Sequence, residues 1–305
     1  GLPRAMSGGS AVEAIVGAEL DRPAMPEAHV LARAILDRHG AAVAAILFYG
    51  SCLRTRDASG LLDLYVIVDR ARDWHGAGVR AALMRALPPD VEHWQAEHGG
   101  RVLRAKVAVI AGRDFRRRVR DGSLDTSLWA RFSQPAALIH ARDATARRGA
   151  VAALSDAVRT AAAWAARLSP GEESAAAYWA ALFRATYGAE LRPEQPGRAA
   201  EVVAADPARY EALLRAAWNV PAGPLRPPGT VRRAWWPRRA LGKGRTLLRL
   251  LKAAFTFAGG ADYAVWKIER HTGRRLVLTD WQRRHPVLAA PGLLWRLRRR
   301  GTGAR

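Results

Sequence analysis

Two apolar runs, the first unbroken and the second interrupted only by Asp63, organise the first third of the chain. Ala41 to Tyr49 (AAVAAILFY) ends at Gly50-Ser51, and Leu61 to Val68 (LLDLYVIV) ends at Asp69-Arg70. Apolar runs of this length, closed by turn formers, predict strands covered on both faces. Residues 52–60 between them are polar with a glycine, which predicts a loop. Glu27 to His39 places Val30, Leu31, Ala34 and Ile35 on one face, the spacing of a helix. Val79 to Ala86 predicts a second helix. Val102 to Ile110 predicts a third strand with Lys106 near its middle, Asp114 to Gly122 a short basic helix, and Ala136 to His140 a short strand.

From about residue 150 the pattern turns helical. Ala150 to Leu168 is Ala-rich, and Ser174 to Tyr187 repeats Tyr178, Leu182 and Ala185 at helical spacing. Arg198 to Val203 and Pro207 to Trp218 continue the helices. Pro221 to Gly229 holds four prolines and two glycines and predicts a linker. The expected class is α/β (α+β): a mixed sheet with helices over residues 1–149, a small all-α domain over 150–220, and a linker with a basic amphipathic helical segment over 221–305.

Charge sharpens this division. The 305 residues carry 49 Lys or Arg against 27 acids, a net charge of +22, which points to a polyanionic partner. Residues 231–305 alone hold 19 Lys or Arg and 3 acids, so most of the excess lies at one end. Half the residues are hydrophobic, enough to bury a core and to exclude a disordered chain. The lone cysteine, Cys52, excludes an intrachain disulfide framework and a thiolate zinc site. Gly1 to Ser10 lacks the charged-then-apolar pattern of a leader, and no run of about 18 apolar residues predicts a membrane span. The expected location is the cytoplasm.

The chemistry centres on Phe48-Tyr49-Gly50-Ser51, followed eleven residues after Ser51 by Leu62-Asp63-Leu64. Glycine permits a tight turn and a close approach of phosphate to backbone. The Ser51 hydroxyl can bond phosphate oxygens, and a carboxylate on the neighbouring strand can hold Mg²⁺ against them. An ordinary strand-ending turn would also read Tyr-Gly-Ser. An aspartate inside an apolar strand decides for function, because burying it without a partner costs several kcal/mol. Nucleotidyltransferases commonly place a second carboxylate two residues on, where this chain has Tyr65. Either the second metal ligand comes from elsewhere, Asp69 being a candidate, or a single ion is held.

In these residues the chain resembles the mitochondrial-type CDP-diacylglycerol synthases, phosphatidate cytidylyltransferases also described as mitochondrial translocator assembly and maintenance proteins. That family's Tyr-Gly-Ser-Gly-Val and Met-Leu-Asp-Phe are similar to Tyr49-Gly50-Ser51-Cys52-Leu53 and Leu61-Leu62-Asp63-Leu64. Its Asp-x-Pro-x-x-Trp-His resembles Val68-Asp69 with Asp73-Trp74-His75, and its Lys-Tyr-Gly-Val-Val resembles Lys106-Val107-Ala108-Val109. Later matches are Leu128 to Pro135, Thr186-Tyr187-Gly188-Ala189-Glu190-Leu191-Arg192, and Lys252 to Gly259. Cys52 stands where the family has glycine, and Glu190 where it has aspartate. The resemblance implies synthesis of CDP-diacylglycerol and pyrophosphate from CTP and phosphatidic acid, with Mg²⁺. It implies Asp63 as metal ligand, Ser51 with Tyr49 and Gly50 on the triphosphate, and Lys106 and Arg131 offsetting phosphate charge. It also implies that Glu190 and Arg192 complete the nucleotide pocket, and the family too lacks the second strand carboxylate. His75 is expected to be structural.

Gly244 to Phe257 (GRTLLRLLKAAFTF) aligns Leu247, Leu251, Ala254 and Phe255 on one face and Arg245, Arg249 and Lys252 towards the other. This basic amphipathic pattern suits a helix lying in a membrane interface, with Trp235, Trp236, Trp266, Trp281 and Trp295 at headgroup level. A packed helix with a solvated basic face, or a nucleic-acid contact, would give a similar pattern. With a lipid acceptor implied, the expectation is peripheral attachment to an anionic, cytoplasmic membrane surface through Arg245, Leu247, Arg249, Leu251, Lys252 and Phe255, with no nucleic-acid partner. The competing expectations are a nucleotidyltransferase acting on RNA or a small molecule, and a catalytically inactive phospholipid-binding protein.

Overall fold

Helices α1 (Gly8–Leu20) and α2 (Pro26–His39) lead into strand β1 (Val43–Tyr49), and the Gly50 turn begins the short helix α3 (Ser51–Thr55). Strand β2 (Leu62–Val68) follows, then α4 (Ala71–His75), α5 (Val79–Ala86), β3 (Asp90–His98), β4 (Arg101–Ala111), α6 (Gly112–Val119), α7 (Thr126–Phe132) and β5 (Ala136–Ala141). The remainder is helical: α8 (Ala144–Leu168), α9 (Ala175–Ala189), α10 (Arg198–Ala204), α11 (Pro207–Trp218) and α12 (Pro228–Thr256). This is a computed structural model, and it describes residues 8–189, 197–218, 228–256, 279 and 281.

The strands form one mixed sheet in the order β3-β4-β2-β1-β5. The β2–β4 pair is parallel and the other pairs are antiparallel. The chain is therefore an α/β protein with a mixed sheet and helices, as its pattern predicts. Both faces of the central strands are covered. Ile46, Phe48, Leu64, Val66, Val107 and Val109 pack under α2, α4 and α5, while Leu47, Tyr49, Tyr65, Ile67, Ala108 and Ile110 join a core shared with α1 and α7 to α11. Double coverage explains why β1 and β2 read as continuous apolar runs. The second core is continuous from sheet to helices, and the expected boundary near residue 150 falls inside α8.

Two buried polar links fasten the helical layer. Arg209 of α11 donates to Glu19 of α1 and, through Nη1, to the Ser133 carbonyl at 3.0 Å. Glu19 Oε1 also accepts the Ala136 N–H at 3.1 Å, so α1, α11 and the start of β5 meet at one carboxylate. On the other face, His75 Nε2 lies 2.7 Å from Asp90, and Glu92 accepts the indole N–H groups of Trp74 and Trp94. His75 is held within the protein by a β3 carboxylate.

Several elements lie outside the pattern. The segment expected as a loop after Ser51 contains α3. Strand β3 is an edge strand whose inward residues include Asp90 and Glu92, so it lacks an apolar signature. The Pro221–Gly229 linker lies largely outside the described residues, and α12 already begins at Pro228.

Candidate active site

The site is assembled by strand register. Tyr49 of β1 pairs with Asp63 of β2, and Asp63 pairs with Lys106 of β4. Directly paired residues share a sheet face, so Tyr49, Asp63 and Lys106 form one row across three strands. Tyr65 follows Asp63 on the same face, as alternation requires. It is 1% exposed, packed against Tyr49, Phe115 and Phe132. Burial pushes its phenol up, and its hydroxyl has no hydrogen-bond partner among the described residues. An aromatic side chain locked into the core supplies no second carboxylate here.

Gly50 turns the chain with φ +91°, a region that disfavours side chains. A Cβ at Gly50 would stand 2.5 Å from Asp63 Oδ2. The missing side chain therefore leaves the cradle in which the Asp63 carboxylate sits beside the Gly50-Ser51 backbone.

Around this cradle lies a cavity of about 140 Å³ lined by Tyr49, Gly50, Ser51, Asp63, Ser127 and Arg131, with Arg54, Tyr187 and Arg198 among its other walls. Arg131 of α7 donates from Nη1 to the Tyr49 hydroxyl at 2.8 Å, its guanidinium carbon 5.1 Å from the ring centre. Arg54 of α3 has its pKa lowered, first by burial and then by the nearby charge of Arg198. Three guanidiniums and one carboxylate thus line the same cavity. Arg54, Pro135 and Val202 also wall a second cavity of about 720 Å³, lined by Met25, Phe48, Leu53 and Ala137 among others. Arg54, Ser127, Tyr187 and Arg198 are absent from the sequence-based set. They come from four separate helices and only the fold brings them together.

Mg²⁺ is the ion implied at Asp63. Magnesium is commonly held by one or two carboxylates plus substrate phosphates. A single carboxylate in a cradle that a Cβ would fill, beside a cavity lined by three guanidiniums, fits one such ion.

Some expected residues lie elsewhere. Asp69 sits at the far end of β2, six residues or about 20 Å from Asp63, where Arg142 Nη1 bonds it at 2.7 Å. It is a surface ion pair and not a second metal ligand. Arg249 and Lys252 do not face outward. Arg249 donates to Asp125, to Ser127 Oγ and to the Pro88 carbonyl, and Lys252 donates to the Leu87 and Pro89 carbonyls. Buried acceptors on neighbouring segments claim these cations, so they are not membrane contacts. Trp235 likewise packs inward against Trp164 and Trp129. Arg245 is half-buried. Glu190 and Arg192, with Trp266 and Trp295, lie outside the described residues, as do the side chains of Leu247, Leu251 and Phe255.

No protein-family model matches the chain, and no curated protein matches it.

Proposed function

We propose that this chain is a nucleotidyltransferase that joins CTP to phosphatidic acid, giving CDP-diacylglycerol and pyrophosphate. The observation that carries this proposal is the Gly50–Asp63 cradle facing Arg54, Arg131 and Arg198, one carboxylate set among three guanidiniums. The choice of CTP and of a lipid phosphate as acceptor rests on the resemblance across Tyr49 to Leu53, Leu61 to Leu64, Lys106 to Val109 and Leu128 to Pro135.

In this reaction an acceptor phosphate oxygen bonds to the α-phosphorus of CTP, and the bond from that phosphorus to the bridging oxygen of the β-phosphate breaks. A phosphate monoester is already largely ionised near neutral pH, so the acceptor needs alignment more than a base. Gly50 lets the triphosphate approach the backbone, and the Ser51 hydroxyl donates to a phosphate oxygen. Arg131, held by Tyr49, offsets charge on the leaving pyrophosphate together with Arg54 and Arg198. Lys106, beside Asp63 in the same row, offsets charge on the acceptor side. Mg²⁺ bound by Asp63 would supply further charge neutralisation between the phosphates.

Among the described residues no helix is long and apolar enough to cross a membrane. The lipid acceptor calls for peripheral attachment to an anionic surface, and Trp236, Leu241 and Leu248, at 70%, 43% and 53% exposure, are outward apolar groups of α12. The test is purified protein with labelled CTP, Mg²⁺ and phosphatidic acid in detergent, run beside RNA oligonucleotides as acceptor. CDP-diacylglycerol is the expected product. Its absence with both Mg²⁺ and Mn²⁺ removes the lipid assignment, and label in RNA replaces it. Co-sedimentation with anionic vesicles should weaken in Trp236→Asp with Leu248→Asp; unchanged binding removes α12 as the attachment.

A further inference from the structure

We propose that Arg249, reaching from α12, positions the phosphate-binding face of α7, making α12 part of the nucleotide site. The proposal rests on the cavity at Asp63 being that nucleotide site.

Ser127 and Arg131 are four residues apart on α7, hence on one face, and both line the cavity. The first turn of this helix is held by Asp125. Its Oδ1 accepts the Ser127 N–H at 3.2 Å and the Ser127 hydroxyl at 2.6 Å. Asp125 is 4% exposed, so its charge needs partners inside the protein. Arg118 supplies one at 2.8 Å and Arg249 the other.

Arg249 does more than offset that charge. Its Nη1 donates to Ser127 Oγ at 3.3 Å, and its Nε donates to the Pro88 carbonyl at 3.1 Å. One planar fork thus joins three segments distant in sequence, which lysine cannot reproduce. The Ser127 hydroxyl proton is committed to Asp125, so Ser127 fixes the helix and does not donate to a ligand.

Neighbouring contacts keep α12 in place. Lys252 bonds the carbonyls either side of Pro88, at 2.8 and 2.7 Å. Arg238, three turns earlier, donates to the Ser123 and Asp121 carbonyls at 3.1 and 3.0 Å. The loop before α7 is therefore gripped at both ends from one helix. Without α12, Asp125 would keep only Arg118 as its cationic partner and Ser127 would lose its tie to Pro88, loosening the turn from which Arg131 reaches Tyr49.

The experiment uses the full chain and the variants Arg249→Ala, Arg249→Lys and, as a control, the exposed Arg239→Ala. Two quantities are read: amide hydrogen exchange over residues 126–132, and CTP affinity with Mg²⁺ by calorimetry. Arg249→Ala should exchange faster over α7 and bind CTP about tenfold to a hundredfold more weakly, the loss of a charge-assisted bond. Arg249→Lys should fall between, and millimolar guanidinium should restore Arg249→Ala while leaving Arg239→Ala unchanged. Unchanged exchange over α7 overturns the proposal. So does faster exchange with wild-type CTP affinity. If the wild-type chain binds no CTP, the nucleotide site falls and the proposal with it, and faster exchange in Arg249→Ala then shows that only the clasp on α7 stands. If Arg249→Ala fails to fold, the lysine variant decides on the same readouts.

Discussion

Gly50 and Asp63 are matched so closely that a Cβ on the first would stand 2.5 Å from Oδ2 of the second. Gly50→Ala should therefore act twice. Holding a side chain at φ +91° and ψ −162°, a region populated essentially by glycine, costs on the order of 1–3 kcal/mol, and the new methyl group must push the Asp63 carboxylate out of its cradle. We expect a lower melting temperature and a loss of turnover of about a hundredfold or more, comparable with other displaced catalytic groups. Asp63→Asn keeps the side chain's shape and removes its charge, so it should lose turnover while the chain still folds, as circular dichroism would show. Full activity in either variant would take the cradle out of the reaction.

The bond from Arg131 to the Tyr49 hydroxyl, 2.8 Å long, gives a second expectation. Tyr49→Phe keeps the ring under the guanidinium and removes its hydrogen-bond acceptor. A single hydrogen bond to a charged group is worth about 1.5–3 kcal/mol, so CTP affinity should fall by roughly tenfold or more while the fold persists. Arg131→Lys should be worse, because the ammonium keeps charge but loses the fork. Steady-state kinetics separate the cases: a change confined to the acceptor's KM would place Arg131 on the wrong substrate.

The legible part of this site was the part carried by single strands. Asp63 stands out because a carboxylate in LLDLYVIV violates the pattern around it, and Gly50-Ser51 because it closes an apolar run. Arg54, Ser127, Tyr187 and Arg198 carry no such mark; they are ordinary helix residues until register and packing bring four helices to one cavity. Asp69 was misplaced because nearness in sequence along a strand is distance in space. The amphipathic pattern of α12 was real, but a pattern of charges does not reveal acceptors, and the carboxylate that claims Arg249 lies 124 residues upstream. Strand β3 escaped because the buried side of an edge strand here includes Asp90 and Glu92 in place of aliphatic residues.

The Glu19–Arg209 pair predicts where the fold is most fragile. Both side chains are at least nine-tenths buried, and between them they bond Ala136 N–H and the Ser133 carbonyl. Removing one partner leaves an uncompensated buried charge, a loss of about 3–5 kcal/mol. Glu19→Ala and Arg209→Ala should each lower stability by that order in urea titrations. The double variant should be less damaging than their sum, because the second change removes the stranded charge. Additive losses would show that the two side chains act separately.

Asp125 sets the acid limit of this architecture. Burial alone would raise its carboxyl, but the charge of Arg249, bonds from Ser127 and Arg249, and the charge of Arg118 outweigh it and bring the pKa from the ordinary 3.8 to about 2. The folded state therefore favours the ionised form more than the unfolded chain does. That stability is present in full above about pH 4 and is lost as pH falls through about 2, an amount on the order of 2 kcal/mol. Other carboxylates titrate in the same window, so the measurement is a difference. Asp125→Asn should be less stable than wild type near pH 6, with the gap between the two narrowing by about 2 kcal/mol by pH 2. A gap constant with pH would mean that Asp125 holds Arg249 and Ser127 without its charge. Since the same carboxylate locks the first turn of α7, CTP affinity in Asp125→Asn should also weaken near neutral pH, where stability alone still keeps the chain folded.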